Sequence, residues 1–509
     1  MNKSSVRKPT FIESLVPIFF LILLLSLNVV IFGDDGLSGS NQLVLIFATA
    51  VAVLMAQRLG YTVTELVEGM ISSISTAMSA ILILLMIGAL AGTWLISGIV
   101  PAMIYYGLQI LHPAIFLVAA AIICAIISVA TGSSWTTIAT VGVALIGIGK
   151  TFGMSEGVIA GAIISGAYFG DKMSPLSDTT NLAPAVSGTD LFTHIRYMMY
   201  TTVPSLLIAL VIFLVMGIVN FNAEVDTASQ IQGVLAAIDS TFNITPWVFV
   251  VPVFVVVLIV KKMPALPALL IGALLGGVAA LIFQPEIVHQ VGVDYIQGIL
   301  SEGTTLEEAL KEWSNASISY IAVMKAMYGD VTIVTDNAMV NELLSTSGMY
   351  GMLGTIWLII VAMCFGGVME VSGMLHTITE SIIKRVHTVG GLVASTTTTC
   401  VFFNFTASDQ YLAIVVPGKM FADTYKERGL APENLSRTLE DSATVTSVLV
   451  PWNTCGAAQA SALNVATGAY LPYAFFNIIS PFMTMFFAYM NIKIRKRKEG
   501  EEEQVMTQA

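Results

Sequence analysis

Runs of about 15 to 24 apolar residues, separated by short polar stretches, recur from one end of the chain to the other. Wound as a helix, a run of that length matches the hydrocarbon thickness of a bilayer. The pattern predicts helical crossings near 12–32, 42–57, 74–97, 113–130, 134–149, 157–187, 197–219, 246–260, 264–283, 351–371, 388–404, 408–422, 441–467 and 470–490, fourteen in all. The fold class expected is an all-α polytopic membrane protein. The first run follows Lys3, Arg7 and Lys8, is too long for a signal-peptide core and has no small-residue cleavage pattern, so it reads as a retained helix.

Composition agrees. Of 509 residues 56% are hydrophobic and 11% charged, against roughly 25% charged in a soluble domain. The mean hydropathy is +0.84. The net charge of -11 lies outside the apolar runs and gives nucleic acid no footing. Cys124, Cys364, Cys400 and Cys455 stand in apolar stretches without CxxC or CxxH spacing, which argues against a disulfide framework or a zinc site.

Basic residues orient the crossings, because short cytoplasmic loops are enriched in them. Arg58, Arg196, Lys261, Lys262, Lys384, Arg385, Lys426, Arg428, Arg437 and the tail Lys493, Arg495, Lys496, Arg497 and Lys498 then fall inside, with both termini cytoplasmic and Lys150 as the exception. Segments 220–245 and 284–350 fall outside; together they hold twelve acidic residues and two basic ones, Lys311 and Lys325. Glu499, Glu501, Glu502 and Glu503 read as a solvated end.

Shifting the chain by 275 positions lays Ile81 on Ile356, Gly92 on Gly367, Ser97 and Gly98 on Ser372 and Gly373, and His112 on His387. The register continues through Leu117, Val118 and Ala119 on Leu392, Val393 and Ala394 to Thr131 and Ser133 on Thr406 and Ser408. Further on, Phe169-Gly170-Asp171 and Leu439-Glu440-Asp441 fall at comparable places, with gaps. An odd number of crossings separates the copies, which predicts inverted-topology repeats, a signature of alternating-access transporters. The organisation expected is N-terminal spans at 1–72, a first transport repeat at 73–219, linking spans and an outside loop at 220–283, an outside segment at 284–350, a second repeat at 351–490 and a charged cytoplasmic tail at 491–509.

Three polar stretches within expected crossings could carry chemistry. Between Gly166 and Pro184, Gly170, Pro175 and Pro184 rule out a continuous helix, predicting broken or re-entrant geometry. Asp171, Asp178, Thr179, Thr180 and Asn181 supply hard oxygens suited to sodium, or a proton on a carboxylate. The second stretch, Asn404 to Gln410 with Thr406, Ser408 and Asp409, has the mate Thr131, Ser133 and Ser134; both look like half-helix starts whose free amides would favour an anionic substrate group. Plain capping at a surface turn competes with that reading. The third runs from Glu440 and Asp441 to a break at Pro451–Gly456, where Asn453 and Thr454 join freed carbonyls as an ion or substrate shell. The candidate sodium ligands are Asp171, Asp178, Asn181 and Asp409, with Asp441 a further ion-binding candidate. Glu370 is balanced between function and snorkelling, and His112 and His387 read as loop histidines.

HExxH, GxSxG and the Walker pattern are absent, so neither intramembrane metalloproteolysis nor ATP-driven pumping has support. Gly170-Asp171 does not fit an aspartyl protease, which would need glycine where this chain has Tyr168. A transporter without a resident cofactor is expected rather than an enzyme.

The run GAYFGDKMSPLSDTTNLAP, with TGSSWTT upstream and EDSATVTSVLVPWNTCGAAQA downstream, resembles the NhaC family of bacterial sodium/proton antiporters over most of the chain. The resemblance implies a place in the ion transporter superfamily, the bacterial cytoplasmic membrane, inverted repeats with broken helices, and dimerisation. It implies sodium and protons as the ions moved, with malate, lactate or amino acids moved in some members, so an ion-coupled carrier of a small organic anion or amino acid is the alternative. Asp171, Asp178, Thr180 and Asn181 fall in the family's signature stretch. The long 284–350 segment departs from shorter members. One carboxylate can hold sodium or a proton in turn, and binding one expels the other.

Overall fold

The computed structural model describes residues 6–32, 39–221, 227–300, 306–311, 313–383 and 388–497. Lys3, Lys384, Arg385, His387, Lys498, Glu499, Glu501, Glu502 and Glu503, used above for orientation, repeat or tail, lie outside them.

The first half contains α1 Phe11–Phe32, α2 Ser40–Arg58, α3 Val63–Ile96, α4 Ile99–Ile110, α5 Phe116–Thr131, α6 Ser134–Thr137, α7 Val143–Thr151, α8 Glu156–Met173, α9 Asp178–Ser187 and α10 Leu191–Phe221. Linking helices α11 Thr227–Thr241, α12 Val250–Val260 and α13 Ala265–Phe283 follow. The segment expected outside carries α14 Pro285–Gly298, α15 Leu306–Leu310, α16 Asn315–Tyr328, α17 Ala338–Leu343 and a two-rung antiparallel pair, β1 Val331–Thr332 with β2 Ser345–Thr346. The second half holds α18 Gly348–Val371, α19 Met374–Ile383, α20 Val389–Thr406, α21 Gln410–Glu427, α22 Pro432–Leu439, α23 Val445–Ser447, α24 Thr454–Leu463, α25 Thr467–Tyr470 and α26 Phe475–Tyr489.

Helix boundaries follow local chemistry. Thr62 and Glu65 close a reciprocal capping box at the start of α3. Left-handed Gly98 (φ 77°) and Gly373 (φ 73°) turn the chain out of α3 and α18. α3 and α18 then cross closely enough that a Cβ on Gly88 would overlap the Gly348 carbonyl, and one on Gly69 would overlap Val371. Gly69 meets the end of α18 and Gly88 its start, so the two helices run antiparallel.

The repeat is visible in the boundaries themselves. Ile96 and Val371 end their helices, Ile99 and Met374 begin theirs, and Thr131 and Thr406 end theirs, each pair 275 apart. Beyond that point Glu156 and Pro432, Asp178 and Thr454, and Leu191 and Thr467 begin corresponding helices 276 apart. The second copy has gained one residue at the turn before α21. Its left-handed residue is Ser408 (φ 59°), against Gly132 (φ 68°) in the first copy. Because α3 and α18 are mates and antiparallel, the copies are inverted. The offset also corrects two pairings of the sequence comparison: Ser133 corresponds to Asp409 rather than Ser408, and Asp171 to Ser447 rather than Asp441.

Fewer long apolar helices are found than the fourteen crossings expected. Among the described residues seven helices are long and apolar enough to span a bilayer, and two bent pairs raise that to nine. The expected span 157–187 breaks between Met173 and Asp178, and 441–467 breaks between Ser447 and Thr454; 134–149 is helical throughout, with a π segment at Ile138–Gly142. Such helices survive with polar composition because protein encloses them. Ser436, Arg437, Glu440, Asp441, Ser442 and Thr444 are all fully buried. Two apolar clusters flank this polar centre, one including Trp94, Phe116, Ile163 and Phe213, the other Leu45, Ile359, Phe403 and Phe421.

Candidate functional site

The breaks of both repeats open on one cavity of 520 Å³. Thr131, Gly132, Ser133, Trp135, Asp171, Ser177, Asp178, Thr179, Asp409, Gln410, Tyr411 and Thr454 line it, with Thr76 to Ile83 of α3 along one wall and Lys262 among the 259–266 residues of another. In the first repeat Ser174 Oγ donates to the Val129 carbonyl at 2.8 Å and fastens the break to α5. The Ser177 hydroxyl caps α9. In the second, Asn453 caps α24 and its amide reaches the Asn404 carbonyl at 3.1 Å.

Four helices, α6, α9, α21 and α24, begin at this cavity, and the exposed amides of a helix start carry positive charge. The protein spends that charge on its own carboxylates. Ser134 donates to Asp171 Oδ2 through its backbone N–H (3.0 Å) and its hydroxyl (2.6 Å). The Leu412 N–H donates to Asp409 Oδ1 at 3.0 Å, while Thr454 Oγ1 stands 3.5 Å from Asp409 Oδ2. Asp178 is the first residue of α9 and is exposed to the cavity. The helix starts that the sequence offered as anion seats are thus occupied internally. Three carboxylates face one lysine across the cavity, a balance that suits a cation.

Inversion makes the two halves of the site twins with exchanged parts. In the first repeat Ser134 donates to Asp171; at the corresponding positions Ser447 Oγ lies 3.5 Å from Gln410 Oε1. Asp178 corresponds to Thr454 and Ser133 to Asp409. Acid groups therefore occupy the α8–α9 break in one copy and the start of α21 in the other.

Several expected residues are placed elsewhere. Asn181 does not line the cavity: its amide donates to the Pro175 (3.0 Å) and Ser177 (2.7 Å) carbonyls and closes its own turn. The expected ligand set Asp171, Asp178, Asn181 and Asp409 is therefore not gathered at a point, and among the described residues no three His, Cys, Asp or Glu side chains converge to hold a metal. Thr180 Oγ1 donates to the carbonyls of Asp171 (3.2 Å) and Lys172 (3.0 Å), ending α8. Thr406 Oγ1 donates back to the Phe402 carbonyl at 2.8 Å, and Ser408 is buried at the turn. Asn404 binds the Ala443 carbonyl (2.7 Å) and Thr446 Oγ1 (2.9 Å), joining α20 to the second break. Asp441 lies away from the cavity, in a fully buried ion pair with Lys172. Trp135, Gln410, Tyr411 and Lys172 escaped the sequence reading. A lysine within an expected crossing was the signal for Lys172, and Gln410 closes the second polar stretch; nothing in the sequence marked Trp135 or Tyr411.

A model of the Na+/H+ antiporter family matches residues 166–315 and 290–492. The Na+/H+ antiporter NhaC of Alkalihalophilus pseudofirmus is 35% identical over 455 residues, covering 89% of this chain and 91% of that protein. The malate-2H+/Na+-lactate antiporter of Bacillus subtilis is 35% identical over 485 residues, 95% of each chain. The arginine/ornithine antiporter ArcD of Halobacterium salinarum is 35% identical over 510 residues, 99% of this chain and 97% of that one. Broken inverted repeats around an acid-lined cavity, matched at this identity over nearly the whole length, place the chain in the Na+/H+ antiporter family, among its NhaC-type members.

Proposed function

We propose that this chain is a secondary antiporter exchanging sodium for protons across the bacterial cytoplasmic membrane, with both termini cytoplasmic. The observation that carries this reading is the set of three carboxylates, Asp171, Asp178 and Asp409, around one cavity whose helix starts are already neutralised. Sodium on Asp171 excludes a proton there, and a proton excludes sodium, so the gradient of one drives the other. A second cavity of 620 Å³ lies further along α3 at Ile87, Ala91 and Leu95. Buried Leu84 falls between the stretches of α3 that line the two cavities, which supports alternating access to the site by relative movement of the repeats. The expected orientation gains support at its one exception, since Lys150 is neutralised by Glu156 (2.6 Å) and Glu342 (2.7 Å).

The test is sodium-induced pH change in everted vesicles carrying Asp171→Asn. Exchange is expected to be lost, and in the parent protein the sodium concentration for half-maximal exchange is expected to rise as pH falls. Full activity in the mutant removes Asp171 from the mechanism.

A second reading, an organic cargo, draws on the cavity itself: 520 Å³ with Trp135 and Tyr411 in its wall has room for a solute of amino-acid size bearing an ammonium group. Relatives named for malate, lactate, arginine and ornithine keep that class open. An organic anion is the less favoured form, because the amides that would receive it hold Asp171 and Asp409. Radiolabelled uptake into proteoliposomes separates these readings: gradient-dependent accumulation of an organic solute supports the second, and its absence leaves sodium and protons alone.

A further inference from the structure

Lys172 follows Asp171 in the last turn of α8, and its side chain is wholly buried, as is that of Asp441 in the π segment Glu440–Thr444. The two form an ion pair joining the repeats. Ser480 of α26 donates to Asp441 Oδ1 at 3.1 Å and lies 3.2 Å from Lys172 Nζ, while Thr201 of α10 donates to Asp441 Oδ2 at 2.8 Å. The inversion supplies no copy of this pair. The twin of Lys172 is Val448 and the twin of Asp441 is Ser165, 276 positions away in each case.

Stability does not account for it. Two charges taken fully out of water lose hydration that their attraction recovers only in part, and apolar residues of similar volume usually serve the fold as well or better. Its electrostatic effect is more specific. Lys172 is the chain neighbour of Asp171, and a buried ammonium one residue from that carboxylate, left uncompensated in a low-dielectric interior, would favour its ionised form and repel an entering cation. Of the other titratable groups near Lys172, His194 shares a 2.7 Å hydrogen bond with Ser436, and Glu440 is fully buried beside the hydroxyls of Thr444 and Thr179.

We infer that Asp441 is a positioning residue that cancels the charge of Lys172, leaving Asp171 free to take the transported cation. This rests on the proposal that Asp171 holds sodium, and it assigns Asp441 a role other than ligand. Removing either member of the pair moves sodium dependence in opposite directions, which mere loosening of the fold would not do.

The experiment measures the sodium concentration for half-maximal exchange, separately from maximal rate, in proteoliposomes of folded full-length protein. Asp441→Asn is expected to raise it about tenfold and Lys172→Met to lower it about threefold, corresponding to tenfold per 1.4 kcal/mol. The double variant is expected to return to within about threefold of the parent, a span of well under 1 kcal/mol. Shifts of the same sign in both single variants, or no shift in either, overturn the inference. Should a single variant not fold, the double variant decides: parental sodium dependence supports charge cancellation, and a displaced one overturns it. Full exchange by Asp171→Asn would instead remove the underlying reading, so the two failures are distinguishable.

Discussion

The two broken helix pairs are built to one plan and differ in where they place acid. At the first, Asp171 is fastened by two donors from Ser134 and Asp178 opens α9 toward the cavity. At the second, a neutral pair, Gln410 and Ser447, holds the position of Ser134 and Asp171, and the acid has moved to Asp409 at the cap of α21. Duplication supplied the scaffold; divergence distributed the charge. Three carboxylates occupy one cavity without three identical environments, which gives the site one tightly held acid, one intermediate and one solvated.

That ranking predicts the order of mutational effects. Asp171→Asn should be the most severe, reducing exchange about 100-fold or more, roughly 2.8 kcal/mol, because the amide carries neither the charge that holds sodium nor an exchangeable carboxyl proton; near-parental rates would break the comparison at its root. Asp409→Asn should raise half-saturating sodium about 30-fold, through loss of one charge-assisted cap worth roughly 1.5–3 kcal/mol. Ser134→Ala should cost about tenfold, since the backbone N–H still holds Asp171 when the hydroxyl is gone. Its symmetry mate Ser447→Ala should change sodium dependence by less than about twofold, there being no carboxylate for that hydroxyl to serve. Equal losses from Ser134→Ala and Ser447→Ala would mean that the two halves are functionally symmetric after all. Asp178→Asn should be mildest among the acids, about threefold and shrinking in high salt, as solvent and ions screen an exposed carboxylate.

Much of this architecture is legible without coordinates. The runs of apolar residues dictate a membrane protein, and a 275-residue shift finds a duplication whose helix ends coincide at Ile96 and Val371 and again at Thr131 and Thr406. Pro175 and Pro451 mark the two breaks because proline withholds an N–H from the helix ladder. Hydropathy overstates the uninterrupted crossings because it registers a polar helix only by its average, whereas α22 and the π segment after it are enclosed by other helices and need no apolar surface. The same enclosure hides Lys172 and Asp441 from one another in the sequence, 269 residues apart.

Sequence alone determined the membrane-spanning class, the repeats and the positions of their breaks, since each follows from local chemistry: apolar length, identities at a fixed offset, and proline. Tertiary structure decided which oxygens face the cavity and which are consumed in holding it open. Thr180 and Thr406 carry the same hydroxyl as Thr131, Thr179 and Thr454, yet the former donate it to nearby carbonyls, as Asn181 does its amide, while the latter line the cavity. A donor's partner depends on which element is packed beside it, and that is fixed only when the two inverted halves close on each other.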